Sequence, residues 1–123
     1  MIKILAIDDD ELFLEILIEF LNKKGWQTIS ADNSLLGLQL VKEQMPDLIL
    51  CDIRMGGLNG YQVLKALRQE PQTEKIPVIF LTATLTDKER NYAREFGADD
   101  CLDKFHIFDA LSKAIEMRVK AIK

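Results

Sequence analysis

Leu48-Ile49-Leu50-Cys51-Asp52 is an apolar run that stops on a carboxylate, and Pro46 just upstream keeps any helix from running into it. The run shows no polar–apolar alternation. A strand of that kind is covered on both faces, as in a parallel sheet with helices on either side. Three other runs have the same design. Ile4-Leu5-Ala6-Ile7 ends in Asp8-Asp9, Val78-Ile79-Phe80-Leu81 ends in Thr82, and Asp100-Cys101-Leu102 runs into Asp103-Lys104. In an open parallel sheet, ligands bind outside the carboxyl ends of the strands. Carboxylates, a hydroxyl and an ammonium therefore converge on one rim, a set suited to a divalent cation and a phosphoryl group.

Around these runs the chain alternates β-branched stretches with helical patterns, the mark of repeated βαβ units. The pattern predicts strands near 2–8, 26–31, 48–52, 78–82 and 99–103, and helices near 11–24, 34–45, 60–69, 87–96 and 107–121. The fold class is α/β, a doubly wound parallel sheet with helices on both faces, in one domain spanning residues 1–123. Gly25 and Gly97 stand just past predicted helices, where a left-handed residue ends the turn. Pro77 precedes the fourth strand, and the pairs Asn59–Gln62 and Thr86–Glu89 have capping-box spacing.

With 123 residues and 48% apolar composition, the chain is large enough for a core of its own. A net charge of -4 argues against a nucleic-acid surface on this domain. No apolar run approaches the roughly 18 residues that span a bilayer, and the start Ile2 to Ile7 runs into acids rather than a cleavage site. A cytoplasmic location is expected. Cys51 and Cys101 are not in Cys-x-x-Cys spacing and read as packing residues of a reducing compartment.

The first helix is unusual. Glu11, Glu15 and Glu19 form one solvated stripe, and almost everything else from Leu12 to Leu21 is apolar. That arc is broader than packing on one sheet face requires: either the helix is simply deeply buried, or part of the arc, Phe13 and Leu17, meets a partner protein.

Asp8, Asp9, Asp10 and Glu11 place four carboxylates in a row, and like charges on one rim are unfavourable without something positive beside them. Mg²⁺ is a hard cation that takes carboxylate oxygens and keeps several waters. Asp10 and Glu11 read as the cap and first turn of the helix, leaving Asp8 and Asp9 with Asp52 as the metal set. A carboxylate beside a cation and a lysine is poised to attack phosphorus, so Asp52 is the candidate nucleophile, with Thr82 and Lys104 to hold phosphoryl oxygens.

These segments, in this order, resemble the receiver domain of two-component response regulators, chemotaxis-regulator-like in form. The matching stretches are Ile7-Asp8-Asp9-Asp10, Pro46 to Met55, Gly60-Tyr61, Pro77 to Ala83, and Gly97-Ala98-Asp99-Asp100 ahead of Lys104. The resemblance implies strand order 2-1-3-4-5 and Asp52 as phosphoacceptor. It further implies Mg²⁺ held by Asp9, by Asp8 mainly through water, by Asp52 and by the backbone carbonyl of Arg54. Thr82 and Lys104 would bind the phosphoryl group, and Arg54 and Thr84 would occupy positions that tune its lifetime. The implied donor is a phosphohistidine on a sensor kinase or phosphotransfer protein. The implied output is changed binding to an output domain, a downstream protein or a second copy through the fourth helix, fifth strand and fifth helix. The domain would be a signalling element rather than an enzyme with a turnover substrate. His106 is expected to be a solvated loop residue.

The chain departs from the family pattern in three places. Phe105 follows the lysine where the family has a proline, so the loop is either trans and rearranged or strained. Cys101 stands where an aromatic ring reports threonine movement, so the output switch either uses another route or is weak. Gly56 replaces a proline, loosening the loop after Asp52. Two other functions compete. One is a receiver fold that binds partners without phosphate. The other is a haloacid-dehalogenase-type phosphatase using Asp8-Asp9-Asp10, Thr82, Lys104 and Asp99-Asp100, although there the lysine should precede the acidic pair. The last helix keeps an apolar stripe at Phe108, Leu111, Ile115, Val119 and Ile122, with Lys120 and Lys123 at the negative end of its dipole. A helix leading into an output domain would have this form, and so would a plain C-terminus.

Overall fold

A computed structural model describes residues 1–122 and, within them, every side chain except those of residues 106, 107, 109 and 119–122. The readings of His106, Val119, Lys120, Ile122 and Lys123 fall outside the described residues.

The elements alternate strictly: β1 (Lys3–Ile7), α1 (Glu11–Lys23), β2 (Gln27–Ala31), α2 (Ser34–Gln44), β3 (Leu48–Asp52), α3 (Gly60–Arg68), β4 (Val78–Thr82), α4 (Asp87–Phe96) and β5 (Asp100–Asp103). A single 3-10 turn, Lys104–His106, leads into α5 (Ile107–Ile122). All pairings are parallel, in the order β2-β1-β3-β4-β5. The strand order reverses between β1 and β3, whose carboxyl ends are Ile7 and Asp52.

The period of two along β3 and β4 sorts their side chains between two cores. Ile49, Cys51, Val78 and Phe80 pack with residues of α2, α3 and α4, including Val41, Val63, Leu64 and Ala93. Leu48, Leu50, Ile79 and Leu81 pack on the other side with Leu14, Leu17 and Leu21 of α1 and Leu111 and Ile115 of α5. Both faces are covered, which is why these strands show no alternation in sequence.

Local signals account for most helix ends. Asp10 caps α1 by accepting from Phe13 N–H, and Gly25 beyond it has φ 88°. Asn59 and Gln62 form the full capping box of α3. Thr86 caps α4 by accepting from Glu89 N–H, but Glu89 turns its own carboxylate elsewhere. Gly97, with φ 118°, ends α4. At the end of α2 the left-handed residue is Met45, with φ 45°. Pro46 follows it and bars a further helical turn.

Leu17 decides between the two readings of the first helix. It is buried in the core between α1 and the sheet, so it offers no partner surface, and Phe13 is half-buried against the same core. The apolar side chains that α1 does expose are Leu12, 68% exposed, and Ile16, 47%.

Candidate functional site

Parallel pairing fixes which strand ends meet. Ile7 lies beside Cys51, Asp52 beside Leu81, and Thr82 beside Asp103, so Asp8, Asp52, Thr82 and Lys104 leave the sheet side by side. α3 approaches this corner closely. A Cβ on Gly60 would lie 2.7 Å from the carbonyl oxygen of Asp52, and Gly60 N–H donates to Ile53 O at 2.8 Å. Only glycine lets the α3 N-terminus close on the end of β3.

Asp8, Asp52 and Thr82 are buried, and Asp9 is exposed at the rim. Asp8 accepts from Asp10 N–H through Oδ1 at 2.9 Å and meets Lys104 Nζ through Oδ2 at 2.6 Å. Lys104 Nζ also lies 3.4 Å from Asp52 Oδ1 and 4.7 Å from the centre of the Phe13 ring. Phe13 thus sits under the site lysine, a cation–π contact made from the first turn of α1. The Lys104–Phe105 peptide is trans, and Phe105 is solvent-exposed. Lys104 reaches the carboxylates from this trans loop, which answers the question raised by the missing proline.

One oxygen from each of Asp8, Asp9 and Asp52 lies within 4.8 Å of the others. Gly56 N–H donates to Asp9 Oδ2 at 3.4 Å, tying the loop after β3 to the carboxylate row. Burial, with the charges of Asp8 and Asp9 against it, pushes the Asp52 carboxyl up to about 6, although Lys104 pulls the other way. Burial works against the Lys104 ammonium. Its contacts with Asp8, and then with Asp52, outweigh that and hold its pKa above the usual lysine value.

At the end of β4, Thr82 Oγ1 accepts from Thr84 N–H and from Arg54 Nη1, both at 3.3 Å. With both bonds entering the oxygen, the hydroxyl hydrogen is left to donate. Arg54 Nη1 also meets Glu89 Oε1 at 3.2 Å. The Thr84 side chain is exposed. Cys51 and Cys101 are both buried, and burial raises both thiols, Cys101 to about 11, so neither is a thiolate near neutrality.

The structure brings together Asp8, Asp9, Asp52, Thr82 and Lys104, with Arg54 at the edge. Sequence reasoning missed two contacts. Phe13 was read as core or partner surface and Glu89 as part of a cap, and each touches a charged side chain of the site. Nothing local signals either, because both contacts join elements far apart in the chain. Asp99 and Asp100, which a phosphatase would need at the rim, lie at the opposite end of β5. There Asp99 pairs with Arg68 at 3.3 Å and Asp100 with Arg94 at 3.4 Å.

Known proteins place this geometry. Protein PilH of Pseudomonas aeruginosa is 36% identical over 104 residues, covering 85% of this chain and 86% of PilH. The transcriptional regulatory protein CpxR of Escherichia coli is 42% identical over 102 residues, 83% of this chain and 42% of CpxR, so the chain spans less than half of that relative. Among solved structures, the receiver domain of the Francisella response regulator 1452 superposes with a TM-score of 0.92 at 28% identity, covering all of both chains. A response regulator of Chloroflexus aurantiacus gives 0.90 at 29% identity, covering 96% of this chain and 97% of that one. The family model of the response regulator receiver domain matches residues 4–116, and with the strand order and the acidic rim in agreement, the chain belongs to that family of two-component signalling domains.

Proposed function

We propose that this receiver takes a phosphoryl group onto Asp52 from a phosphohistidine on a partner kinase or phosphotransfer protein. The observation that carries the reading is a buried Asp52 carboxylate 3.4 Å from the Lys104 ammonium, at a rim that also carries the buried Thr82. An oxygen of Asp52 attacks phosphorus as the P–N bond breaks, and the electron pair of that bond returns to the histidine ring. With its carboxyl pushed up only to about 6, Asp52 is mostly ionised and nucleophilic at neutral pH. Lys104 pairs with one phosphoryl oxygen and the Thr82 hydroxyl donates to another.

The oxygens of Asp8, Asp9 and Asp52 fit a Mg²⁺ ion in number and chemistry, with the backbone carbonyl of Arg54 as a further ligand. When bound, the ion supplies positive charge that offsets the phosphoryl oxygens. Arg54 and Thr84, flanking Thr82 by contact and by position, set how readily water reaches the acyl phosphate. The phosphorylated domain then changes its binding to an output domain or a downstream protein, and a second copy would dock through the α4–β5–α5 face. Among the described residues no helix is long and apolar enough to cross a membrane, in keeping with a cytoplasmic partner.

The test is intact mass after incubation with Mg²⁺ and acetyl phosphate. The expected result is the gain of one phosphoryl mass, lost in Asp52→Asn. No gain would leave the alternative, a receiver fold that binds partners without phosphate. Full gain in Asp52→Asn would move the acceptor elsewhere.

A further inference from the structure

We propose that Glu89 changes partners when Asp52 is phosphorylated, leaving Arg54 for the hydroxyl of Tyr61, and that this exchange carries the signal to the α3–α4 surface. The inference rests on the phosphoacceptor reading of Asp52 and names the regulation of that same site.

Arg54 Nη1 is shared between Thr82 Oγ1 at 3.3 Å and Glu89 Oε1 at 3.2 Å. The two ends of the ion pair differ in freedom: the Arg54 side chain is 64% exposed and the Glu89 side chain 16%. Arg54 can therefore swing through solvent toward a phosphoryl group only two residues away, while Glu89 is held against the body of the domain. Adding a phosphoryl group places more negative charge and three acceptor oxygens beside the guanidinium. Arg54 turns to it, and Glu89 is left as a largely buried carboxylate without a cation, which is costly.

A donor stands ready nearby. Tyr61 Oη is buried and makes no hydrogen bond among the described residues. A buried hydroxyl in that state is costly. Glu89 is close enough for its charge to be felt there. Burial first, and the Glu89 carboxylate next, push the Tyr61 phenol up to about 12, so it stays protonated and able to donate. The O–H of Tyr61 and the carboxylate of Glu89 then satisfy each other by a charge-assisted bond.

Tyr61 cannot turn alone. Its ring lies edge-on to Phe80 at 5.0 Å, Tyr92 at 5.0 Å and Phe96 at 5.2 Å. Tyr92 is 52% exposed and Phe96 37%, so moving Tyr61 repacks aromatic surface that a partner can read. This supplies from α3 and α4 the ring movement that Cys101, buried and small on β5, cannot provide.

The chain has two tyrosines, so 3-fluorotyrosine labelling gives one fluorine resonance each for Tyr61 and Tyr92, assigned with Tyr92→Phe. Mg²⁺ and acetyl phosphate are added, and intact mass is read on the same sample. The expected result is a phosphoryl mass together with a shifted Tyr61 resonance. Glu89→Gln should gain the mass and lose most of that shift. Arg54→Ala, which frees Glu89 beforehand at an exposed position, should move the Tyr61 resonance in the same direction with no phosphodonor. A phosphoryl mass with an unmoved Tyr61 resonance, a full shift in Glu89→Gln, or a wild-type resonance in Arg54→Ala would each overturn the exchange and leave Asp52 as acceptor. Absence of the mass would overturn both.

Discussion

The two ends of β5 hold the same kinds of residue to opposite effect. At its amino end Asp99 pairs with Arg68 and accepts from Val78 N–H at 2.8 Å, and Asp100 pairs with Arg94. Each carboxylate there has an arginine of its own. At its carboxyl end Lys104 faces Asp8 and Asp52, with Asp9 close by. Among the described residues, Lys104 is the cation paired with Asp8 and Asp52, and Asp9 has no ion pair of its own there. Paired charges at a strand end need nothing further, whereas an excess of one sign at a buried rim is a standing cost that only a function explains.

The largest effect should come from removing the Lys104 ammonium from the upper rim. Lys104→Met leaves Asp8 buried and unpaired, and a loss of about 3 kcal/mol in urea unfolding is expected in metal-free buffer. A loss as small as that of an exposed lysine would mean that the rim is not electrostatically unbalanced.

Next in size is the effect of removing a carboxylate there. In the folded chain the Asp52 carboxyl is pushed up to about 6, above the roughly 3.9 of an unfolded aspartate. The folded state therefore binds the proton more tightly. The charge on Asp52 costs nothing below about pH 4 and its full amount above about pH 6, on the order of 2–3 kcal/mol. Asp52→Asn should accordingly be more stable than wild type at neutral pH without metal. That gain should shrink as pH falls through this window and vanish near its lower end. Urea unfolding at several pH values measures it, and a pH-independent difference would contradict the assignment.

The smallest effect belongs to the lower rim. Asp99→Asn keeps an acceptor for Val78 N–H and loses only the charge facing Arg68. The pair is partly exposed, so the change should cost below about 1 kcal/mol and leave phosphoryl uptake unaltered. Reduced uptake in this variant would blur the contrast between the two ends.

The upper rim was readable because parallel strands deliver their last residues to one place. Once Leu48 to Cys51 is recognised as a two-faced strand, Asp52 has to emerge beside Asp8, and the same reasoning brings in Thr82 and Lys104. Caps such as Asp10 and the Asn59–Gln62 pair are local and equally plain. What escaped is what depends on rotation and distance. The apolar arc of α1 is wide enough that periodicity cannot tell which side meets the sheet, so Leu17 was left between core and partner surface, whereas Leu12 and Ile16 are the exposed pair. Met45 ends α2 in a left-handed conformation that carries no glycine signal. Glu89 and Arg54 lie on different elements, and no spacing rule connects them.

The central claim is that the unbalanced carboxylates of the upper rim are a Mg²⁺ and phosphoryl site. Its most direct test is the melting temperature as a function of Mg²⁺ for wild type, Asp9→Ala and Asp99→Asn. An ion that binds only the folded arrangement of Asp8, Asp9 and Asp52 stabilises it in proportion to the logarithm of its concentration once the site fills. The account predicts a melting temperature that rises with Mg²⁺ in wild type and Asp99→Asn and stays flat in Asp9→Ala. A flat curve in wild type, or an equal rise in all three, would contradict it.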